Sequence, residues 1–496
     1  MLAGVAATLV ATAEPGIYTV DENAYLATIA AVRSGGVGVP HTGELPPSRE
    51  LLFFDPQRDK VAVTRTPVVT RVPPFHALFA WPFIPFGWRG FVALEALAFV
   101  ATIAIVFAHV RRVARARSSP YLAAVAVSLG GYSIEYAQGV WPQALSAMLV
   151  AVAFTLVARA WDDAATTRRG LALPAAAGLV AATATEVRYQ NALVLVLLAG
   201  LLVLFATAQR RKKLLLYVAG AALPLLIASF INHARLGTWN PVTKGDRYIT
   251  SIGGSKETLS PVTLGRVLWG KVVDVTVHPP LSSTLASAHG YQHRDDATGV
   301  VVMRGSLKKA WMQSCPWLGL AFVAMAVAWS RRARLDDRAR RDLRAVGLVI
   351  LPVILLFAAA GPNRSEGFGS NQRYFLDLVP LAAIALALAW DALSAATATR
   401  LALAFTACGW LSAFATVRML GDVPAETPWL YLRAPLIVAA LLVVTAAIRA
   451  HASRQSDTAP RSIVILSSWV LGLAIGWATG AHWTDDLATA NRVRHD

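Results

Sequence analysis

Long apolar runs, separated by short polar and basic segments, set the pattern of the chain. They fall at about residues 87–110, 121–133, 141–160, 171–185, 191–208, 214–231, 310–329, 345–360, 374–390, 401–417, 434–448 and 463–479. A helix needs ~20 apolar residues to cross a ~30 Å hydrocarbon core. The shorter runs therefore recruit flanking residues or thin the bilayer locally. A thirteenth apolar stretch, 1–13, gives only ~20 Å of helix at 1.5 Å per residue. It reads as a first span whose beginning lies upstream, although Ala11-Thr12-Ala13 also resembles a signal-peptide cleavage site. The pattern predicts an all-α polytopic membrane protein with about 13 transmembrane helices.

Two longer polar stretches interrupt this series, at 14–86 and 232–309. The first opens with an amphipathic segment, 23–33, whose Ala24, Leu26, Ala27, Ile29, Ala30 and Val32 fall mostly on one helical face. It is expected to lie along the membrane interface. Residues 51–70 alternate apolar with polar and suit a small hairpin. Pro73, Pro74, Pro82 and Pro85 break the entry to the next span. These features divide the chain into a transmembrane core at 1–231 that includes the first outer loop (14–86), a large extracytoplasmic loop at 232–309, and C-terminal helices at 310–496.

Composition agrees with this reading. Of the 496 residues, 56% are hydrophobic and only 15% charged, which excludes a disordered chain, a coiled coil and an ordinary soluble enzyme. The net charge of +17 would suit a nucleic-acid binder, but the cations bunch in short runs between apolar stretches, so no nucleic-acid partner is expected. One set of loops, at 111–117, 159–169, 209–213, 331–344, 400 and 449–461, carries about 22 Arg and Lys. The opposite set of short loops carries about five: Arg188, Arg364, Arg373, Arg418 and Arg433. By the positive-inside rule the first set is cytoplasmic. The two long loops then face outward from a cytoplasmic (inner) membrane. The two cysteines, Cys315 and Cys408, form neither a disulfide framework nor a zinc site.

Candidate chemistry lies on the outer side. Asp21-Glu22 stands just before the amphipathic segment, where a partly desolvated carboxylate is placed to act as a general base on a lipid-anchored substrate. The same pair also suits a helix N-terminus. Arg71, Arg188, Arg235, Lys244, Arg247 and Arg373 all fall where the positive-inside rule disfavours cations. Membrane-level cations usually have a partner or a task. Arginine's planar fork suits phosphate, while interfacial snorkelling is the plainer alternative. Glu135 sits in a very short outer loop, where it could hold an acceptor or pair with an arginine. His278, His289 and His293, with Asp295 and Asp296, have no zinc-ligand spacing. No phosphate loop, dinucleotide fingerprint or GxSxG elbow occurs.

Five segments, taken together and in order, resemble the GT-C superfamily of integral membrane glycosyltransferases. The resemblance is to the protein-mannosyltransferase and aminoarabinose-transferase branch. The segments are VDENAYLATIAAVRSGG, RVPPFHALFAWPF followed by GWRGFVAL, ATATEVRYQNALVLVLLAG, FINHARLGTWNP and GFGSNQRYFLDLVPLAAIALA. The resemblance implies an inverting transferase that moves a sugar from a polyprenyl-phosphate donor to an extracytoplasmic hydroxyl of a glycan, lipid or protein. It makes Asp21 the general base, with Glu22 assisting. Arg71, Arg188, Arg235 and Arg373 become donor-phosphate ligands, and Glu135 and Tyr374 further candidates. No cofactor and no metal are expected. Val72, Gln143 and His233 depart from the family's usual Tyr, His and aromatic residue. A lipid-linked-glycan flippase or a non-catalytic membrane scaffold is the alternative.

Overall fold

The computed structural model describes residues 2–13, 20–33, 67–70, 72–129, 132–162, 167–242, 335–359 and 373–391. It also describes the pieces 39–40, 53–54, 292–294, 301–303, 317–318 and 321–322, and residues 36, 311, 315 and 393. Five of the described helical segments are long and apolar enough to cross a membrane: Phe75–Val113, Gln143–Trp161, Gly170–Val187, Arg210–Leu236 and Tyr374–Asp391. The apolar runs expected at 401–417, 434–448 and 463–479 lie outside the described residues, as does most of 310–329.

The chain divides into two compact units. One contains residues 1–14, 96–138 and 260–496, and the other 15–95 and 139–259. The first holds α1 (Leu2–Thr12), α5 (Ser119–Leu129), α10 (Asp337–Ala359), α11 (Val379–Asp391) and a short strand pair, Gln292–Arg294 with Val301–Met303. α11 is its centre, with every residue from Val379 to Ala389 buried. Helix α4 (Gly87–Val113) runs through the boundary of the two units, and its second half belongs here. His109 Nε2 of α4 lies 2.9 Å from Asp342 Oδ2 of α10, both buried. Arg115 pairs with Asp336, and Asp391 at the end of α11 accepts the Arg115 and Ala116 backbone N–H groups. Asp342 explains why α10 starts at Asp337, eight residues before the expected apolar run. The charged segment DRARRDLR is helical because one of its acids is drawn into the unit's interior.

The second unit is built on α6 (Gln143–Asp162), α7 (Arg168–Val187), α8 (Ala192–Phe205) and α9 (Arg210–Leu236). Helix α9 likewise begins inside a charged run. Lys213 is fully buried, and its Nζ donates 2.6 Å to the Ala160 carbonyl in the last turn of α6. A cation at that terminus satisfies an orphan carbonyl and meets the favourable end of the helix dipole. Helices α7 and α9 pack backbone to backbone. A Cβ on Gly178 would collide with the Tyr217 carbonyl, and one on Gly220 with the Ala175 carbonyl. Small residues that let helix backbones meet are a recurrent membrane packing device. We therefore expect Gly220→Val to destabilise the protein by about 1–3 kcal/mol through overpacking. Gly200→Val on α8, where an added Cβ meets open space, should be neutral. Thermal unfolding of both variants in detergent checks this.

The remaining elements cap the second unit: α2 (Val20–Arg33), α3 (Phe75–Ala80), and strands β1 (Val39–Pro40), β2 (Phe53–Phe54) and β3 (Pro67–Thr70). β3 pairs antiparallel with both β1 and β2, with Phe53 opposite Thr70 and Val39 opposite Val68. The hairpin expected over 51–70 is present, joined by a third strand. The helix expected over 23–33 starts three residues earlier. Its buried positions are Ala24, Thr28, Ile29 and Ala31, while Ala30 is exposed. A polar residue thus occupies the middle of the buried stripe, for a reason found in β3.

Candidate functional site

Asp21 and Glu22 lie in the first turn of α2, which begins at Val20. Their side chains are outside the described residues, as are those of Glu135 and Arg373. What the structure describes around them is how α2 is held. Thr28 of α2 and Thr70 of β3 share a buried hydrogen bond of 2.5 Å between their hydroxyls. Ala24 packs on Val72, with Tyr25 and Ala27 against them. Arg235, near the end of α9, donates through Nη2 to the Thr70 carbonyl (2.7 Å), the Thr70 hydroxyl (2.9 Å) and the Val72 carbonyl (3.2 Å). Charge-assisted bonds of this kind contribute about 1.5–3 kcal/mol each. One buried guanidinium therefore fixes both neighbours of Arg71, itself outside the described residues, to α9, while the Thr28–Thr70 bond ties Thr70 to the helix that carries Asp21.

A second buried contact supports α2 from beneath. The Tyr25 ring meets the His76 ring edge-on at 5.2 Å. His76 Nε2 lies 2.9 Å from Glu95 Oε1, and Glu95 Oε2 accepts the Leu145 backbone N–H at 2.9 Å. This chain of contacts links α2, α3, α4 and α6. The sequence reading passed over both His76 and Glu95. The available signal was a lone acid inside a 27-residue apolar helix, since an intramembrane ionisable residue usually has a partner or a task.

The C-terminal ends of α7 and α9 meet nearby within the same unit. α7 stops because Arg188 is extended (φ −147°, ψ 110°), and a 3₁₀ turn, Tyr189–Asn191, leads into α8. Asn191 Nδ2 donates to Ser146 Oγ at 2.7 Å. α9 stops at Gly237, whose φ of 71° is the left-handed cap that glycine supplies without strain. Asn232 then folds the chain back, with Nδ2 donating to the Asn240 and Pro241 carbonyls at 3.1 and 2.8 Å. The same amide lies 3.4 Å from the Tyr189 hydroxyl. His233 stacks on Trp239 with ring centroids 4.0 Å apart.

Of the sequence candidates, Arg188 and Arg235 are both buried in this unit, which also contains α2. Glu135, Arg373 and Tyr374 belong to the other unit, in the 3₁₀ turns Tyr132–Ala137 and Arg373–Leu378. Among the described residues, three polar groups at these helix ends lack a hydrogen-bond partner: the Arg235 Nη1, the Asn232 Oδ1 and the Glu186 carboxylate, both of whose oxygens are unpaired.

No protein-family model and no curated protein matches the chain. Among solved structures it is similar to ArnT from Cupriavidus metallidurans. In the apo state the TM-score is 0.53 at 13% identity, covering 99% of this chain and 77% of that one. For ArnT bound to undecaprenyl phosphate the TM-score is 0.52 at 12% identity, with the same coverage. A third similar structure is the oligosaccharyltransferase AglB from Archaeoglobus fulgidus, in complex with an inhibitory peptide and a dolichol-phosphate. Its TM-score is 0.45 at 14% identity, covering 97% of this chain and 56% of that one. The match to ArnT runs over almost the whole chain, and it gives this protein the fold of those two structures.

Proposed function

We propose that the protein is an inverting glycosyltransferase that moves one sugar from a polyprenyl monophosphate to a hydroxyl on the extracytoplasmic side of the cytoplasmic membrane. The observation that carries this reading is the ArnT-like fold over 99% of the chain, one of those two ArnT structures being bound to undecaprenyl phosphate. The packing of α2 against the Thr70–Val72 segment supports it, because it keeps an acid-bearing helix beside an arginine-bearing loop.

In the proposed reaction Asp21 takes the proton of the acceptor hydroxyl as its oxygen attacks the anomeric carbon. Glu22 assists. The bond from the anomeric carbon to the phosphate oxygen breaks, and its electron pair leaves with the lipid phosphate. Arg71 and Arg188, with the unpartnered Nη1 of Arg235, stabilise that charge. Attack opposite the leaving phosphate inverts the anomeric centre.

Mass spectrometry of lipids that co-purify with the detergent-solubilised protein tests this. A polyprenyl monophosphate bearing one sugar is the expected result and identifies the donor. A diphosphate-linked oligosaccharide would replace the transferase with a flippase.

A further inference from the structure

Glu186 is the least comfortable residue among those described. It is fully buried, and neither carboxylate oxygen has a hydrogen-bond partner. It also sits in the last turn of α7, at the end where the helix dipole disfavours negative charge. Burial without partners penalises a carboxylate strongly, and a protonated acid would still leave a donor and an acceptor unmet, at about 1–3 kcal/mol. Buried polar groups left unsatisfied in this way are uncommon and call for an explanation.

The surroundings supply one. The Tyr189 hydroxyl, on the residue three after Glu186, lies 3.4 Å from the Asn232 amide, and Arg235 follows Asn232 by one turn of α9. Arg235 is itself more than nine-tenths buried and keeps Nη1 unpartnered, although its Nη2 is fully engaged. An empty acceptor at the end of α7 and an empty cationic donor at the end of α9 complement a ligand that joins hydrogen-bond donors to an anion. A monosaccharide esterified to phosphate is such a ligand.

We infer that Glu186 is a specificity-determining residue that accepts hydrogen bonds from hydroxyls of the transferred sugar, while Arg235 Nη1 meets the phosphate that carries it. This rests on the transferase reading above. Hydrogen bonds to a charged group contribute about 1.5–3 kcal/mol, so recognition by Glu186 corresponds to roughly tenfold or more in affinity.

Native mass spectrometry of the full chain tests the inference. The probes are undecaprenyl phosphate and undecaprenyl phosphate linked to glucose, mannose or arabinose, all three of which carry neighbouring hydroxyls. The wild type is expected to hold at least one sugar lipid about tenfold more tightly than undecaprenyl phosphate. Glu186→Gln, nearly the same shape, should erase that preference, with undecaprenyl phosphate binding and thermal midpoint unchanged. The inference is overturned if Glu186→Gln keeps the preference. It is equally overturned if the variant loses undecaprenyl phosphate in the same proportion, which marks a structural role. A wild type that binds undecaprenyl phosphate without preferring any sugar lipid overturns the inference and leaves the transferase standing. A wild type that binds none of the four overturns both.

Discussion

Asp21→Asn should lower sugar transfer by about 10²–10⁴-fold, the usual contribution of a positioned general base, while expression and lipid binding stay at wild-type levels. The substitution separates two roles of the same residue. Asn serves as well as Asp at a helix N-terminus, so α2 still begins at Val20 and still packs on β3. Only the capacity to take a proton is removed. Transfer is followed as movement of labelled sugar from the co-purifying donor lipid into membrane-fraction product. Activity within a few-fold of wild type would remove Asp21 from the role of base and leave it as a cap.

A second large effect is expected on stability. Glu95→Ala withdraws the acceptor from two buried groups at once, His76 Nε2 and the Leu145 N–H, and leaves a cavity between α3, α4 and α6. Removing one partner from a buried pair of this kind costs about 3–5 kcal/mol. The loss should appear as a lower thermal midpoint in detergent and a smaller monodisperse fraction. Glu95→Gln should lose much less, because its carbonyl still accepts from Leu145 and its amide can face His76. Equal loss in the two variants would show that shape, not hydrogen bonding, holds these helices.

The contrast between these residues shows what the sequence could reveal. Hydropathy located α4, α6, α7, α8 and α9 because a membrane demands long apolar runs, and averaging over a run is a reliable way to see one. The same averaging hid Glu95 and Glu186, single acids diluted by their neighbours. Helix starts were misplaced for a related reason. The runs holding Lys213 and Asp342 read as solvated loops, yet each sends one charged residue inward to a specific partner, the Ala160 carbonyl and His109. Partners of that kind are set by packing and leave no periodic trace. Arg235 meets Thr70 across 165 positions of chain, and no local pattern in either segment announces the other. The Asp21-Glu22 pair was visible because it stands at a boundary, where a change of polarity draws attention to it.

The glycine contact between α7 and α9 has a mechanical meaning. Two helices that touch through their backbones cannot part by rotating side chains, so they move as one strut. Glu186 rides on one member and Arg235 on the other, and the spacing between them behaves as a fixed gauge. α2 and the Thr70–Val72 segment are joined to that gauge by hydrogen bonds, which can break and re-form. If a long lipid must enter and leave this unit, the compliance belongs to α2 and its loop, and the ruler that measures the sugar stays still.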